Sequence, residues 1–209
     1  MCNPQHRGST SVYVSKFRQR VISVLRFIII GYNVQMALSR KKTKKAKSAK
    51  VHKRPNWDKY FIEMTKFVGR RGTCDRGQAG AIIVKDKRVL ATGYVGSPIG
   101  LPHCDEVGHE MHTVIQEDGT QSRHCIRTAH AELNAIANAA RFGVAIDGAV
   151  LYCKIFPCYF CAKTIINSGI KRVVCMKDYH TSKRSKEIFK EIGIEFEILN
   201  KDTENYSDM

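Results

Sequence analysis

Two short stretches decide how this chain is read: His130-Ala131-Glu132-Leu133-Asn134-Ala135, and Phe156-Pro157-Cys158-Tyr159-Phe160-Cys161. Thr128 to Ala140 is rich in Ala, Leu and Ile and is followed by Gly143, which predicts a helix with His130 and Glu132 in its first turn. Ala149 to Lys154 reads as a strand. Pro157 opens the next helix, which runs to Ser168 before Gly169 and carries Cys158 and Cys161 in its first turn. Two helix N-termini therefore converge, and their positive dipole ends favour thiolates and a bound hydroxide.

One imidazole and two thiolates form a ligand set that zinc favours, and three protein ligands leave the fourth tetrahedral position open. Glu132 stands beside His130 as a carboxylate free to move protons. Each half is uninformative alone, because a lone C-x-x-C is also a redox pair or half of a structural zinc site. The combined pattern resembles the signature of zinc nucleobase deaminases. The competing reading, a closed zinc knuckle with a solvated Glu132, needs a fourth ligand beside these three.

Outward from this centre, the chain alternates strand and helix. Asn56 is an N-cap for a helix through Arg70, with Trp57, Tyr60, Phe61, Met64, Phe67 and Val68 at helical spacing, a stripe that reads as core. Gly80 to Val84 and Arg88 to Tyr94 form an antiparallel hairpin around Asp86. Arg172 to Met176 is a strand, Ser185 to Ile192 a helix and Glu195 to Leu199 a last strand. Alternation after the hairpin implies parallel strands with helices on both faces.

Val95 to Arg127 reads as a long connection, and a loop of that length is usually functional or pinned. Cys104, Cys125, His103, His109, His112 and His124 lie in it, and Cys74 precedes the first strand. A second, structural zinc on Cys74, Cys104 and Cys125 would pin it, with His124 or His109 as the fourth ligand and His124 the residue chosen. The bland alternative is a set of unrelated thiols and imidazoles. Cys153 and Cys175 fall in apolar strands and read as core. Thiolates committed to metal point to a reducing compartment.

The formal charge of +16 divides unevenly along the 209 residues. Residues 1–54 hold fourteen Lys or Arg and no Asp or Glu, whereas residues 55–209 hold twenty-one basic and nineteen acidic residues. The basic excess belongs to an extension, residues 1–54, and not to the domain at 55–200; residues 201–209 are a polar tail. Arg40 to Arg54 reads as a disordered tail that either solubilises the chain or attaches loosely to nucleic acid or anionic membrane. The apolar run Val21 to Val34 is too short for a span and contains Arg26. Residues 1–35 read as an over-extended reading frame with Met36 as the start, the next reading being a weak interfacial or membrane-anchoring helix.

With these residues in place, the chain resembles the deoxycytidylate (dCMP) deaminase family of the cytidine deaminase superfamily, over about residues 55 to 200. The resemblance rests on Cys74, Gly93-Tyr94-Val95-Gly96-Ser97-Pro98, Leu101-Pro102-His103-Cys104-Asp105-Glu106 and His124-Cys125-Ile126-Arg127-Thr128. It continues through the two central stretches to Ala162-Lys163 and Ser168-Gly169-Ile170-Lys171. It implies a three-layer α/β/α sandwich around a five-stranded mixed sheet, and zinc-dependent hydrolysis of dCMP to dUMP and ammonia, feeding thymidylate synthesis. His130, Cys158 and Cys161 would hold the metal, Glu132 would be catalytic, and Tyr94, Ala131 and Arg141 would contact substrate. A cytoplasmic homo-oligomer is expected. The family usually has Asn where this chain has Val95, so hydrogen bonds to the nucleotide made by that Asn are missing.

Candidates for the 5′-phosphate are Arg76, Arg127, Arg141, Lys163, Lys177 and His180. Two other classes compete: a deaminase acting on bases in RNA or single-stranded DNA, and a non-catalytic zinc-stabilised accessory protein of DNA uptake. The near-neutral domain argues against the former, and the open ligand set with Glu132 against the latter.

Overall fold

The computed structural model describes residues 53–115, 119 and 121–200, the backbone of 203–204, and Arg26. The readings of the lysine-rich stretch and the segment before it lie outside the described residues. Residues 54–209 form one compact unit.

Helix α1 (Trp57–Gly69) begins where Asn56 caps it, Asn56 Oδ1 accepting from Lys59 N at 2.8 Å. Its inner face buries Phe61, Ile62 and Thr65, and it packs with Ile82, Val84, Tyr152 and Val174 on one side of the sheet. The aromatic stripe is only partly core: Phe61 is 2% exposed, but Trp57, Tyr60 and Phe67 are 50%, 46% and 65% exposed. Helical spacing placed them near one face, yet the sheet covers only its centre.

Strands β1 (Gly80–Lys85) and β2 (Arg88–Tyr94) pair antiparallel through Asp86 and Lys87, both at positive φ, as a tight hairpin turn demands. Strand β5 (Val150–Ile155) lies antiparallel to β1. Strand β6 (Arg172–Tyr179) and strand β7 (Glu195–Ile198) then follow in parallel, giving the order β2-β1-β5-β6-β7. Period-two alternation sorts the side chains. Ile82, Val84, Tyr152 and Val174 face α1, whereas Ala81, Ile83, Leu151, Cys153, Val173 and Cys175 face the larger core. That core is closed by α3 (Ala131–Arg141), α4 (Tyr159–Asn167) and α5 (Lys183–Glu191). The expected mixed five-stranded sandwich is the fold. Within the tail read as polar, β8 (Thr203–Glu204) adds a short parallel pairing to β6.

The connection from Val95 to Arg127 is not a bare loop. It contains the short helix α2 (Cys104–Val107) and an antiparallel ribbon of β3 (Met111–Ile115) and β4 (Gln121–Cys125), which among the described residues pair only with each other.

Helix α3 lies hard against β2. A Cβ at Gly93 would run into Ala135 N and Ala131 O, so only glycine permits this approach. Asn134 Nδ2 donates to Tyr94 O at 2.8 Å and Asn138 Nδ2 to Thr92 O at 2.9 Å, bolting the helix to the strand.

Candidate metal centre and active site

The two central stretches meet at the ends of α3 and α4. His130 is the N-cap of α3 and Cys158 the N-cap of α4, both in extended backbone, and Cys161 is the third residue of α4. His130 Nδ1 lies 3.4 Å from Cys158 Sγ and 3.3 Å from Cys161 Sγ, and all three donor atoms fall within 4.8 Å of one another. A tetrahedral ion with ordinary zinc bond lengths separates a nitrogen and a sulfur ligand by about 3.6 Å, so this triangle fits zinc with small adjustment. No fourth His, Cys, Asp or Glu joins it among the described residues.

The three donors hold their protons unequally. Cys158 is pulled down to about 4, first by its hydrogen bond with Cys161 and then by His130. Cys161 is pushed well up by Cys158 and by burial, and His130 is raised to about 9, chiefly by Cys158. Metal binding requires thiolate and neutral imidazole, so an ion seated here would displace protons from these donors. Glu132 is 7% exposed, with Cys161 Sγ donating to its Oε2 at 3.8 Å, and burial raises its carboxyl above the usual range. A cleft lined by Val95, His124, His130, Ala131, Glu132 and Cys158 opens over these groups.

A second cluster brings together Cys74, Cys104, His109 and Cys125. Cys104 Sγ and Cys125 Sγ are 3.6 Å apart, and Cys74 Sγ is 3.7 Å from His109 Nδ1, against about 3.8 Å and 3.6 Å for such pairs on a tetrahedral zinc. His109 Nε2 donates to Asp75 Oδ1 at 2.9 Å, the carboxylate support common behind a metal-binding imidazole. Cys104 is pushed up to about 12, by burial first and then by Cys125. The Cys125 thiol moves the other way: burial opposes ionisation, but N–H groups of Arg127 and Glu110 outweigh it.

The fourth donor here is His109, which corrects the choice of His124. Neighbouring residues on a strand point to opposite faces, so Cys125 turning into the cluster sends His124 away from it. His124 instead lines the catalytic cleft, its Nε2 2.8 Å from Ser122 Oγ.

The other expected contacts divide. Ala131 is buried and lines the cleft beside Glu132. Tyr94 does not line it, although its carbonyl holds Asn134 and Val95 forms part of the wall. Arg141 is exposed on the last turn of α3, the length of the helix away from the metal end, with its guanidinium 5.6 Å from the neighbouring Phe142 ring centroid. Arg123, His124 and Tyr179 also line the cleft, and no motif or apolar alternation in the sequence marks them as cleft residues.

Fold and site together define a zinc-dependent nucleobase deaminase built on the cytidine deaminase-like sandwich. Residues 55–177 match the family profile described as the cytidine and deoxycytidylate deaminase zinc-binding region. The chain belongs to the deoxycytidylate deaminase family of the cytidine deaminase superfamily. It is 40% identical over 149 residues to ComE operon protein 2 of Bacillus subtilis strain 168, covering 71% of this chain and 74% of that one. It is 34% identical to the deoxycytidylate deaminase of Schizosaccharomyces pombe over 68% of this chain, but spans only 44% of that relative's length. Among solved structures, the dCMP deaminase of cyanophage S-TIM5 in complex with dCMP and dUMP superposes with a TM-score of 0.56 at 28% identity, covering 70% of this chain and 99% of that one.

Proposed function

We propose that the chain deaminates dCMP to dUMP and ammonia, with His130, Cys158 and Cys161 holding zinc and Glu132 moving the protons. The observation that carries this reading is the open donor triangle with a buried carboxylate against it. Zinc in such a site supplies a water acidic enough to react near neutral pH. Glu132 takes a proton from that water and delivers it to N3 of the cytosine, which makes C4 electrophilic. The same carboxylate carries a second proton to the departing 4-amino group. Burial already favours its protonated form, so it is suited to hold a proton between these steps. Ala131, buried with no bulk beyond Cβ, leaves room for the ring beside the start of α3.

In this reading residues 55–200 are the catalytic domain, 1–54 a basic extension and 201–209 a tail. The second cluster holds a structural zinc, dCMP and dUMP are the small-molecule partners, and the chain works as a cytoplasmic homo-oligomer. Among the described residues no helix is long and apolar enough to cross a membrane. The near-neutral charge of residues 55–209 favours a free nucleotide over a polynucleotide.

The test offers the zinc-loaded protein dCMP, single-stranded DNA and tRNA and follows ammonia. Release from dCMP alone is expected. Release from either polymer with none from dCMP would overturn the substrate.

A further inference from the structure

The near-neutral total of residues 55–209 is made of two unequal parts. Residues 54–71 and 85–88, which are α1 with its flanks and the tip of the β1–β2 hairpin, hold eight Lys or Arg against three acidic residues. Residues 72–84 and 89–209 hold fourteen basic and sixteen acidic ones. All eight of the first group's cations are exposed. Two of its three carboxylates are already engaged, Asp58 by Arg172 at 2.8 Å and Glu63 by Lys66 at 2.8 Å. The positive charge of the folded domain is therefore gathered around one helix.

That helix also carries the rings the sheet leaves uncovered. Trp57, Tyr60 and Phe67 follow one another by three and seven residues and so share a stripe along α1. Trp57 rests on buried Phe61, the ring centroids 5.6 Å and the planes 23° apart, which fixes the face it turns to solvent. Lys87 Nζ lies 5.4 Å from the Trp57 centroid, and Arg70 Cζ lies 5.0 Å from that of Phe67. Between Trp57 and Phe67 the helix rises about 15 Å, the scale of a short single-strand site.

Interleaved rings and cations suit single-stranded nucleic acid, whose unpaired bases stack on the rings while its phosphates meet the cations. Two other covers fit less well. A helix lying on a membrane needs a continuous apolar face to insert. Helix α1 spends that face on the sheet, burying Phe61, Ile62 and Thr65. A second copy meeting this face with its own would set cations against cations, whereas interface cores are depleted of charge. The face is also remote in kind from the chemistry. Ile82, Val84, Tyr152 and Val174 pack toward α1, and the opposite side of the sheet packs toward the helices that carry the metal triangle.

We propose that the exposed face of α1 and the tip of the β1–β2 hairpin bind single-stranded nucleic acid, its bases stacking on Trp57, Tyr60 and Phe67 and its phosphates on Arg70, Lys87 and the cations around them. The strand is a ligand held across the sheet from Glu132 and is not the molecule deaminated. This inference therefore stands apart from the dCMP reading.

Trp57 is the chain's one tryptophan, so its fluorescence reports on this face alone. The full chain is titrated with labelled oligo(dT) and oligo(U) of about 12 nucleotides, with a dA–dT duplex of the same length, and with phosphatidylserine vesicles. Affinity is read from anisotropy and stacking from quenching of Trp57, on wild type, Tyr60→Ala, Phe67→Ala and Arg70→Gln. The single strands are expected to bind and quench, the tighter of the two identifying the polymer. Tyr60→Ala and Phe67→Ala should each weaken binding about tenfold. Arg70→Gln should make its fall with salt shallower, and all three variants should turn over dCMP as wild type does. Phe67 is 65% exposed, so Phe67→Ala carries the test if Tyr60→Ala fails to fold. Binding that leaves Trp57 unquenched, or that Phe67→Ala retains in full, belongs to the basic extension and overturns the proposal. So does a duplex that binds as tightly as the better single strand, quenching by the vesicles alone, or no binding of either strand.

Discussion

The two Cys/His clusters use the same atoms in opposite ways. The catalytic triangle draws its donors from the capped ends of α3 and α4, whose inner faces are buried at Ala131, Ala135, Ala139, Cys161, Ala162 and Ile165. Its geometry follows from helices packed on a sheet, and it stops at three donors. The second cluster gathers four donors from a turn, a one-turn helix, a loop and the end of an isolated ribbon. Little else packs there: its buried group is Cys74, Val95 and Cys104. The fold builds the first cluster, and the second builds the fold around it.

Substitutions can break that contrast, and the largest effect falls at the open site. Glu132→Ala is expected to keep zinc and lose about a thousandfold in kcat, measured by ammonia release beside metal analysis. Wild-type turnover in this variant would remove Glu132 from the proton path. Next comes Cys74→Ser at the closed site. It should drop zinc from two per chain to one and lower unfolding stability by about 3 kcal/mol, read by denaturant titration. A variant with one zinc and undiminished stability would show that the ribbon region stands without its metal. The smallest effect is expected at a third pair of sulfurs, Cys153 and Cys175, which face each other across β5 and β6 at 3.4 Å with no third donor among the described residues. Cys175→Ala should leave zinc content unchanged and cost about 1 kcal/mol. Loss of metal in that variant would blur the line between core thiols and ligands.

Legibility followed the same division. His130 and Cys158 could be placed from sequence because each precedes an unbroken helical run, and a helix start is announced by local residues. The hairpin at Asp86 and the parallel strands after it were announced in the same way. The ribbon was not, because Met111 to Cys125 carries polar and charged residues on both faces, and no apolar alternation marks it as strand. Without that assignment the facing of His124 could not be worked out, and nothing in the sequence ranked His109 above it. Arg141 failed for a different reason. It lies on the catalytic helix, but sequence nearness along a helix translates into distance from its N-terminal end at about 1.5 Å per residue. Trp57, Tyr60 and Phe67 show the reverse limit: periodicity gives a face, and only the sheet's width decides how much of it is covered.

The contact at Gly93 makes the second strand a gauge for the chemistry. A methyl group there would prise the first turn of α3 off the sheet, and that turn begins one residue after His130. The nitrogen would then drift from two sulfurs anchored on a different helix. An absent side chain on a strand with no role in catalysis thus keeps the metal's three corners in register.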